Sequence, residues 1–98
     1  MATTIVRYTT AEGRADENQA LIETVFEQLA SVQPEGLKYM SSRVGNDFLH
    51  VAVLPDDGTN PLAELSAFVE FTSDIAERCD VPPNAQPGAV VGTYGFGR

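Results

Sequence analysis

The amino-acid sequence predicts an α+β fold in which one antiparallel sheet is covered by two helices. Three observations support this prediction: short segments that alternate between apolar and polar residues, longer segments with apolar residues at helical spacing, and turn residues between them. Leu37 to Val44 and Phe48 to Leu54 flank Gly45-Asn46, two residues that accept a positive φ, and this arrangement is typical of a β-hairpin. The hairpin carries the only histidine of the chain, His50.

A strand and a helix precede the hairpin. Thr3 to Thr10 alternates in the manner of a strand, with Tyr8 on the side that packs under the helices. Asp16-Glu17 places negative charge where the positive end of a helix dipole is expected. The apolar face of this helix consists of Ile22, Val25, Phe26 and Leu29. Pro34 ends it, because proline disfavours helical geometry in the residue before it.

A loop, a second helix and a last strand follow the hairpin. Pro55 to Asn60 is the predicted loop, with Asn60 as helix N-cap and Pro61 as the first helical residue. The apolar stripe of the helix continues to Cys79, and its polar face consists of Glu64, Glu70, Asp74, Glu77 and Arg78. Pro82 to Gly88 is expected to be an extended connection, and Ala89 to Phe96 the last strand.

The resulting order, β-α-β-β-α-β, predicts a ferredoxin-like fold. In this fold a four-stranded antiparallel sheet carries both helices on one face. The 98 residues suit a single domain, residues 1–98, with one core.

The composition excludes some classes of binding partner and indicates a cellular compartment. A net charge of −8, from 14 acidic and 6 basic residues, disfavours nucleic acid and anionic membranes as partners. Cys79 is the only cysteine, so no internal disulfide is expected, and the N-terminus does not have the pattern of a signal peptide; we expect a cytoplasmic protein. One histidine and one cysteine make a closed metal site improbable, and Gly92, Gly95 and Gly97 precede no helix that could bind a dinucleotide. No metal or other cofactor is predicted.

Two helices cover only one face of such a sheet, and the other face is expected to be apolar. On the third strand, Leu49, Val51 and Val53 are predicted to meet the helices. The open face is then formed by Phe48, His50, Ala52 and Leu54, with Arg7 and Tyr39 from neighbouring strands and either Val90 and Tyr94 or Val91 and Thr93 from the last strand. Large apolar faces are rarely left in water, so the sequence predicts a homodimer with a small-molecule cavity between the two sheets.

The chain resembles the dimeric α+β barrel superfamily, in its antibiotic biosynthesis monooxygenase-like branch. The resemblance rests on the order of elements, on Pro34-Glu35-Gly36-Leu37 before the second strand, and on Asn60-Pro61-Leu62-Ala63-Glu64-Leu65 with Phe68 at the start of the second helix. It implies the fold and a dimer. Members include cofactor-independent oxygenases of aromatic polyketides, haem-degrading enzymes and lactone isomerases. This chain has no tryptophan and no histidine on the second helix, so no catalytic residue is transferred to it from the family.

Five residues of the predicted open face are candidates for chemistry. His50 could act as an acid or base near neutral pH, or it could be a histidine at the edge of the core. Arg7 could hold an anionic substrate, or form a salt bridge across the dimer. Tyr39 and Tyr94 could bind a carbonyl or phenol, or simply pack in the dimer core, and Phe48 would line the same space.

Two functions follow from these candidates. The first is a cofactor-independent oxygenase or isomerase of an aromatic or polyketide-like molecule, in which Arg7 and Tyr39 orient the substrate and His50 removes a proton. The alternative is a non-catalytic homodimer that binds a small ligand or serves as a scaffold.

Overall fold

The structure is a computed structural model that describes residues 2–95, and this part of the chain has the predicted β-α-β-β-α-β order. The strands are β1 (Ala2–Thr10), β2 (Lys38–Val44), β3 (Asp47–Leu54) and β4 (Cys79–Ala89). The α-helices are α1 (Ala15–Val32) and α2 (Ser66–Ser73), with short 3₁₀ helices at Pro61–Glu64 and Ile75–Arg78. The strands of the described residues form one antiparallel sheet in the order β2-β3-β1-β4, which confirms the ferredoxin-like fold.

Local signals explain the limits of α1. Asp16 and Glu17 lie in its first turn, and Arg14 forms a salt bridge with Glu17 through Nε and Oε1 at 2.7 Å. The helix ends at Gln33, which takes a left-handed conformation at φ 50° directly before Pro34. At 18 residues α1 is the longest helix, and none of the helices within residues 2–95 is long and apolar enough to cross a membrane.

The β2-β3 hairpin also matches its sequence signature. Val44 pairs with Asp47 across the Gly45-Asn46 turn, and Gly45 has a positive φ of 62°. At the other end of β2, Gly36 has a φ of 79° and lies against Pro55, the residue that follows β3. The two ends of the hairpin are therefore held by glycines in conformations that other residues rarely adopt.

The prediction of one continuous second helix was wrong. Asn60 caps the segment as expected, since its side chain accepts a hydrogen bond from the Leu62 N–H at 3.2 Å, with Pro61 at the first helical position. The helix is then interrupted at Leu65, which is extended (φ −83°, ψ 128°), and again at Asp74 (φ −121°, ψ 20°). The interruption at Leu65 is accompanied by deep burial of its side chain, which remains 4% exposed. Cys79 consequently begins β4 instead of ending a helix.

The prediction of the last strand was also wrong. β4 spans Cys79–Ala89 and so includes Pro82 to Gly88, which was expected to be a connection. Residues 90–95 form no strand, and Phe96 lies outside the described residues. Pro82, Pro83 and Pro87 misled the prediction because proline cannot donate a backbone hydrogen bond. Within residues 2–95, β4 is an edge strand that pairs only with β1, and an edge strand tolerates proline.

The two faces of β3 are reversed relative to the prediction. Phe48, His50 and Ala52 point toward the helices and are 3%, 4% and 7% exposed. Their neighbours in the core are Tyr8 of β1, Ile22 and Val25 of α1, and Leu62, Leu65, Ala67 and Phe71 of the segment around α2. The prediction failed because the aliphatic residues of β3 were assigned to the helix side and His50 to the open face, although a fully hydrogen-bonded imidazole can be buried under the helices.

The open face of the sheet is therefore formed by the alternate residues. We define the open face as Thr3, Ile5, Arg7, Lys38, Met40, Ser42, Leu49, Val51 and Val53, which pair across β1, β2 and β3. Its aliphatic members do not belong to the core cluster under the helices in the described residues. This side of the sheet is thus formed by a different set of residues from the one predicted, and two of them, Thr3 and Val53, are only 9% and 6% exposed within the chain.

Gly36→Ala is expected to destabilise the protein more than Gly58→Ala. Both glycines have a positive φ, 79° and 85°, but a Cβ on Gly36 would lie 3.2 Å from Cβ of Pro55, whereas nothing lies within 4 Å of one on Gly58. We expect a loss of about 1 kcal/mol for the Gly58 variant and about 2–3 kcal/mol for the Gly36 variant in urea unfolding. Equal losses would show that the contact with Pro55 contributes nothing.

Candidate functional site

A cavity of about 260 Å³ lies between the helix-facing side of the sheet and the segment around α2. Its walls are mainly apolar, and the side chains that form them include Val6, Ala52, Leu54, Leu62, Phe68 and Ile75. Tyr8, Tyr39 and His50 add polar atoms. An apolar cavity of roughly 150 Å³ is enough to bind benzene, so this one can hold a molecule of two or three fused rings.

The sheet register brings the two tyrosines to His50. Val6 of β1 and Ser41 of β2 are the direct partners of His50, so Tyr8 and Tyr39 lie two residues along their strands on the same face. Diagonal neighbours across strands are within reach of long aromatic side chains. Tyr8 Oη lies 2.8 Å from His50 Nε2, and Tyr39 Oη lies 2.7 Å from His50 Nδ1. Both ring nitrogens of the histidine are therefore hydrogen-bonded.

Aromatic rings pack against the triad of Tyr8, His50 and Tyr39 on several sides. Phe48 stacks on Tyr8 with ring centroids 5.4 Å apart, and Phe26 of α1 stacks on Tyr39 at 5.0 Å. Phe71 of α2 packs against the His50 ring at 5.6 Å. The packing restricts the ring positions, so the two hydrogen bonds to His50 are held by rigid elements.

The hydrogen bonds continue from Tyr8 into the helical layer. Asn18 of α1 donates from Nδ2 to Tyr8 Oη at 2.9 Å, and Arg78 Nε donates to Asn18 Oδ1 at 3.1 Å. Arg78 Nη2 also donates to the carbonyl oxygen of Phe71 at 2.6 Å. Asn18 is 0% exposed and Arg78 is 2% exposed, and within residues 2–95 Arg78 forms no salt bridge. We call Arg78, Asn18, Tyr8, His50 and Tyr39 the relay.

Sequence reasoning missed Asn18 and wrongly placed Arg78 on the polar face of a helix. A signal for Asn18 was present, because it lies four residues before Ile22 on the buried stripe of α1. Arg78 carried no such signal. Its burial depends on the interruption of the second helix at Asp74, which turns Ile75–Arg78 back toward α1.

Burial governs the protonation of the triad. It lowers the pKa of the His50 imidazole from 6.5 to about 4. It also raises the pKa of Tyr8 to about 12, although the hydrogen bond from Asn18 opposes this, and it raises the pKa of Tyr39 well above its usual range. All three groups are consequently neutral around pH 7.

The structure brings only some of the predicted site residues together. His50 and Tyr39 line the cavity, and Phe48 lies behind Tyr8 as a stacking partner. Arg7 pairs with Leu49 on the open face, so it points away from the cavity, contrary to the prediction that it shares a face with His50. Tyr94 follows β4 and is fully exposed, so the alternative that placed it on the apolar sheet face as part of the last strand is also wrong.

Two other features of the sequence have structural explanations. In the predicted loop from Pro55 to Asn60, Asp57 accepts hydrogen bonds from the backbone and the hydroxyl of Thr59, as in a turn. Burial raises the pKa of the Cys79 thiol at the start of β4. Among residues 2–95, no cluster of three potential metal ligands occurs.

The stability of the protein is expected to fall as pH decreases from about 6.5 to about 4. The unfolded chain takes up a proton on His50 at a higher pH than the folded protein does, so acid favours unfolding. Since each tenfold change in proton affinity corresponds to about 1.4 kcal/mol, the loss due to His50 approaches about 3 kcal/mol. Urea unfolding of the wild type and of His50→Gln at several pH values separates the loss of stability due to His50 from the loss due to protonation of Asp and Glu side chains. A difference between the two proteins that does not change with pH would contradict the assignment.

Comparisons with known proteins place the fold among characterised structures. The sequence matches no protein-family model, and no curated protein matches it. Solved structures do match. An antibiotic biosynthesis monooxygenase superposes with a TM-score of 0.75 at 14% identity, over 94% of this chain and 100% of that chain.

Two further structures are similar to the same extent. Rv0793 from Mycobacterium tuberculosis gives a TM-score of 0.74 at 12% identity, over 94% of this chain and 96% of its own. A variant of SnoaB, a cofactor-independent oxygenase from Streptomyces nogalater, gives 0.69 at 14% identity, over 96% of each chain. The chain therefore has the ferredoxin-like α+β fold of antibiotic biosynthesis monooxygenase-like proteins, as the resemblance in sequence pattern predicted.

Proposed function

We propose that this protein binds a small, planar, mainly apolar molecule in the cavity and holds a carbonyl or phenolic oxygen of that molecule with Tyr39. The cavity carries the proposal: it offers about 260 Å³ of space with mainly apolar walls. Its polar groups include His50 with its two hydrogen-bonded tyrosines, together with Thr4, Asn60 and Thr72. This combination of apolar surface and a few oriented polar groups is typical of small-molecule sites. Burial of roughly 150–200 Å² of apolar ligand surface would supply about 4–5 kcal/mol.

The proposed chemistry is cofactor-independent oxygenation of an aromatic or polyketide-like ketone. It is supported by the similarity of fold to SnoaB, which is described as a cofactor-independent oxygenase. A ketone such as an anthrone loses a proton from carbon to give an enolate, whose oxygen would accept a hydrogen bond from Tyr39. The enolate transfers an electron to O₂, and the two radicals combine to a peroxide. The peroxide takes up a proton and loses water, which leaves a second carbonyl; one ketone and one O₂ thus give one quinone and one water.

His50 has a different role in this proposal from the one the sequence suggested. It was predicted to remove the substrate proton, but both of its ring nitrogens are engaged by tyrosines and its pKa is about 4. These features favour a histidine that acts through Tyr39 by holding the hydroxyl in place. The proton lost from carbon would then pass to water at the mouth of the cavity.

A second candidate function is non-catalytic binding of the same class of ligand. The observation that favours it is electrostatic: Arg7 lies on the opposite face of the sheet, and no side chain among those that line the cavity within the described residues is charged. Only neutral donors are then available to stabilise an enolate. A cavity without a charged group to stabilise an enolate would bind the ligand without converting it.

The open face supports the proposal of a homodimer, now formed through other residues than those first expected. Ile5, Leu49, Val51 and Met40 form an apolar patch on this face, and Met40 is 43% exposed. On β1–β3 the only acidic residue that points to this side is Asp47, although the chain carries a net charge of −8. A second copy of the chain fits this face, since a two-fold pairing would cover both apolar patches. The electrostatic repulsion between the two acidic copies would also be smallest where acidic residues are few. Arg7, which forms no salt bridge within residues 2–95, could then pair with an acid of the partner.

Tyr39→Phe tests the function at the cavity. We expect wild-type protein to bind 1-tetralone more tightly than tetralin, its hydrocarbon analogue, in calorimetric titration, and the variant to lose this preference by about tenfold. Oxygen uptake with anthrone distinguishes the two candidate functions. Turnover that falls at least tenfold in Tyr39→Phe supports the oxygenase, whereas binding of tetralone without oxygen uptake supports the non-catalytic protein. Equal affinity of the wild type for both ligands would contradict the proposed role of Tyr39.

Sedimentation tests the dimer. Wild-type protein at micromolar concentration is expected to sediment at twice the chain mass of 10.5 kDa. Met40→Glu on the open face should shift the population to single chains, because it places like charges opposite each other. Val69→Glu is the matched control, since Val69 is exposed on α2 and faces away from the sheet's open side. A wild type that sediments as a single chain, or equal effects of both variants, would rule out pairing through this face.

A further inference from the structure

The geometry points to Arg78 as the residue that sets the direction of hydrogen bonding along the relay, so that the Tyr39 hydroxyl presents its proton to the cavity. Arg78 and Asn18 are thus positioning residues for the site. The direction itself follows from the described contacts, whereas its effect on a ligand rests on the proposed function.

Arg78 fixes the orientation of the Asn18 amide. A guanidinium group has only donors, so the atom of Asn18 that lies 3.1 Å from Arg78 Nε must be the carbonyl oxygen. The reverse orientation would bring two N–H groups together in a site where Asn18 is 0% exposed. The amide nitrogen of Asn18 therefore faces Tyr8, and it donates to Tyr8 Oη at 2.9 Å.

Asn18 in turn fixes the direction of the bond between Tyr8 and His50. Tyr8 Oη accepts the hydrogen bond from Asn18, and its own proton still needs an acceptor because Tyr8 is 3% exposed. His50 Nε2, at 2.8 Å, is the only other hydrogen-bond partner of this hydroxyl among residues 2–95. If His50 donated instead, the proton of Tyr8 would have no acceptor among the protein groups of residues 2–95. Nε2 of His50 is therefore the acceptor.

The tautomer of His50 then determines what Tyr39 offers to the cavity. A neutral imidazole that accepts at Nε2 carries its proton at Nδ1, and this N–H donates to Tyr39 Oη at 2.7 Å. The hydroxyl proton of Tyr39 cannot lie between Oη and Nδ1, because the His50 proton already occupies that hydrogen bond. The Tyr39 proton therefore points away from His50. Because Tyr39 lines the cavity, this hydroxyl is a donor for a ligand.

The direction of the relay has a consequence for specificity. A cavity that presents a donor selects ligands with an acceptor, such as a carbonyl, enolate or phenolate oxygen. It discriminates against ligands whose polar group can only donate, since the two donors would face each other without a partner. The relay thus narrows the substrate class of the proposed function to molecules with an exposed oxygen acceptor.

Asn18→Asp is the variant that reverses the relay. A carboxylate can still accept from Arg78, but it has no N–H for Tyr8, so the Tyr8 hydroxyl would donate to the carboxylate. Tyr8 Oη would then accept from His50 Nε2–H, and His50 Nδ1 would accept from Tyr39. The Tyr39 proton would be withdrawn from the cavity. Asn84→Asp is the matched control, because Asn84 lies on the exposed edge strand β4.

Nitrogen-15 NMR of the imidazole tests the direction without any ligand, and His50 is the only histidine, so its signals are unambiguous. We expect the Nδ1–H tautomer in the wild type and in Asn84→Asp, and the Nε2–H tautomer in Asn18→Asp. The Nε2–H form in the wild type would overturn the inference even if the Asn18 variant did not fold, and an unchanged tautomer in the folded variant would also overturn it.

Ligand titration then separates this inference from the proposed function. Affinity for 1-tetralone is expected to fall about tenfold in Asn18→Asp and to stay unchanged in Asn84→Asp. Absence of tetralone binding by the wild type would contradict the proposed function, while the tautomer would still decide the relay. A switched tautomer with unchanged tetralone affinity would overturn the assignment of Arg78 and Asn18 as positioning residues for the site.

Discussion

The burial of a neutral imidazole between sheet and helices is the constraint on which the rest of the site depends. An imidazole can lie in an apolar layer only if both ring nitrogens have partners. Tyr8 and Tyr39 supply them from the two strands that flank β3. The Tyr8 hydroxyl is itself buried and hydrogen-bonded, and the chain of hydrogen bonds extends through Asn18 to Arg78.

Much of the fold was predictable because the signals that define it are local. The strand of Thr3 to Thr10, the start of α1 at Asp16-Glu17 and the turn at Gly45-Asn46 each depend on residues that are neighbours in the chain. Asn60 caps its helix through a contact only two residues away. Patterns of this kind determine which elements form, and their order then leaves few topologies.

The site was less predictable because its contacts join distant parts of the chain. Alternation along β3 shows that Phe48 and His50 share a face, but it does not show which face the helices cover. Asn18 and Arg78 are 60 residues apart, and their contact exists only because the second helix is interrupted. Tyr39 and His50 do line one cavity, whereas Arg7 lies on the opposite face of β1 and Tyr94 is fully exposed beyond β4.

The prolines of β4 affect how copies of this sheet can meet. An unpaired strand edge is a template on which another chain can add by backbone hydrogen bonds, and this is a route to fibrils. Pro82, Pro83 and Pro87 remove three donors from the outer strand β4, so continuous addition at that edge is blocked. Addition of another copy by strand pairing is thereby disfavoured at this border of the sheet.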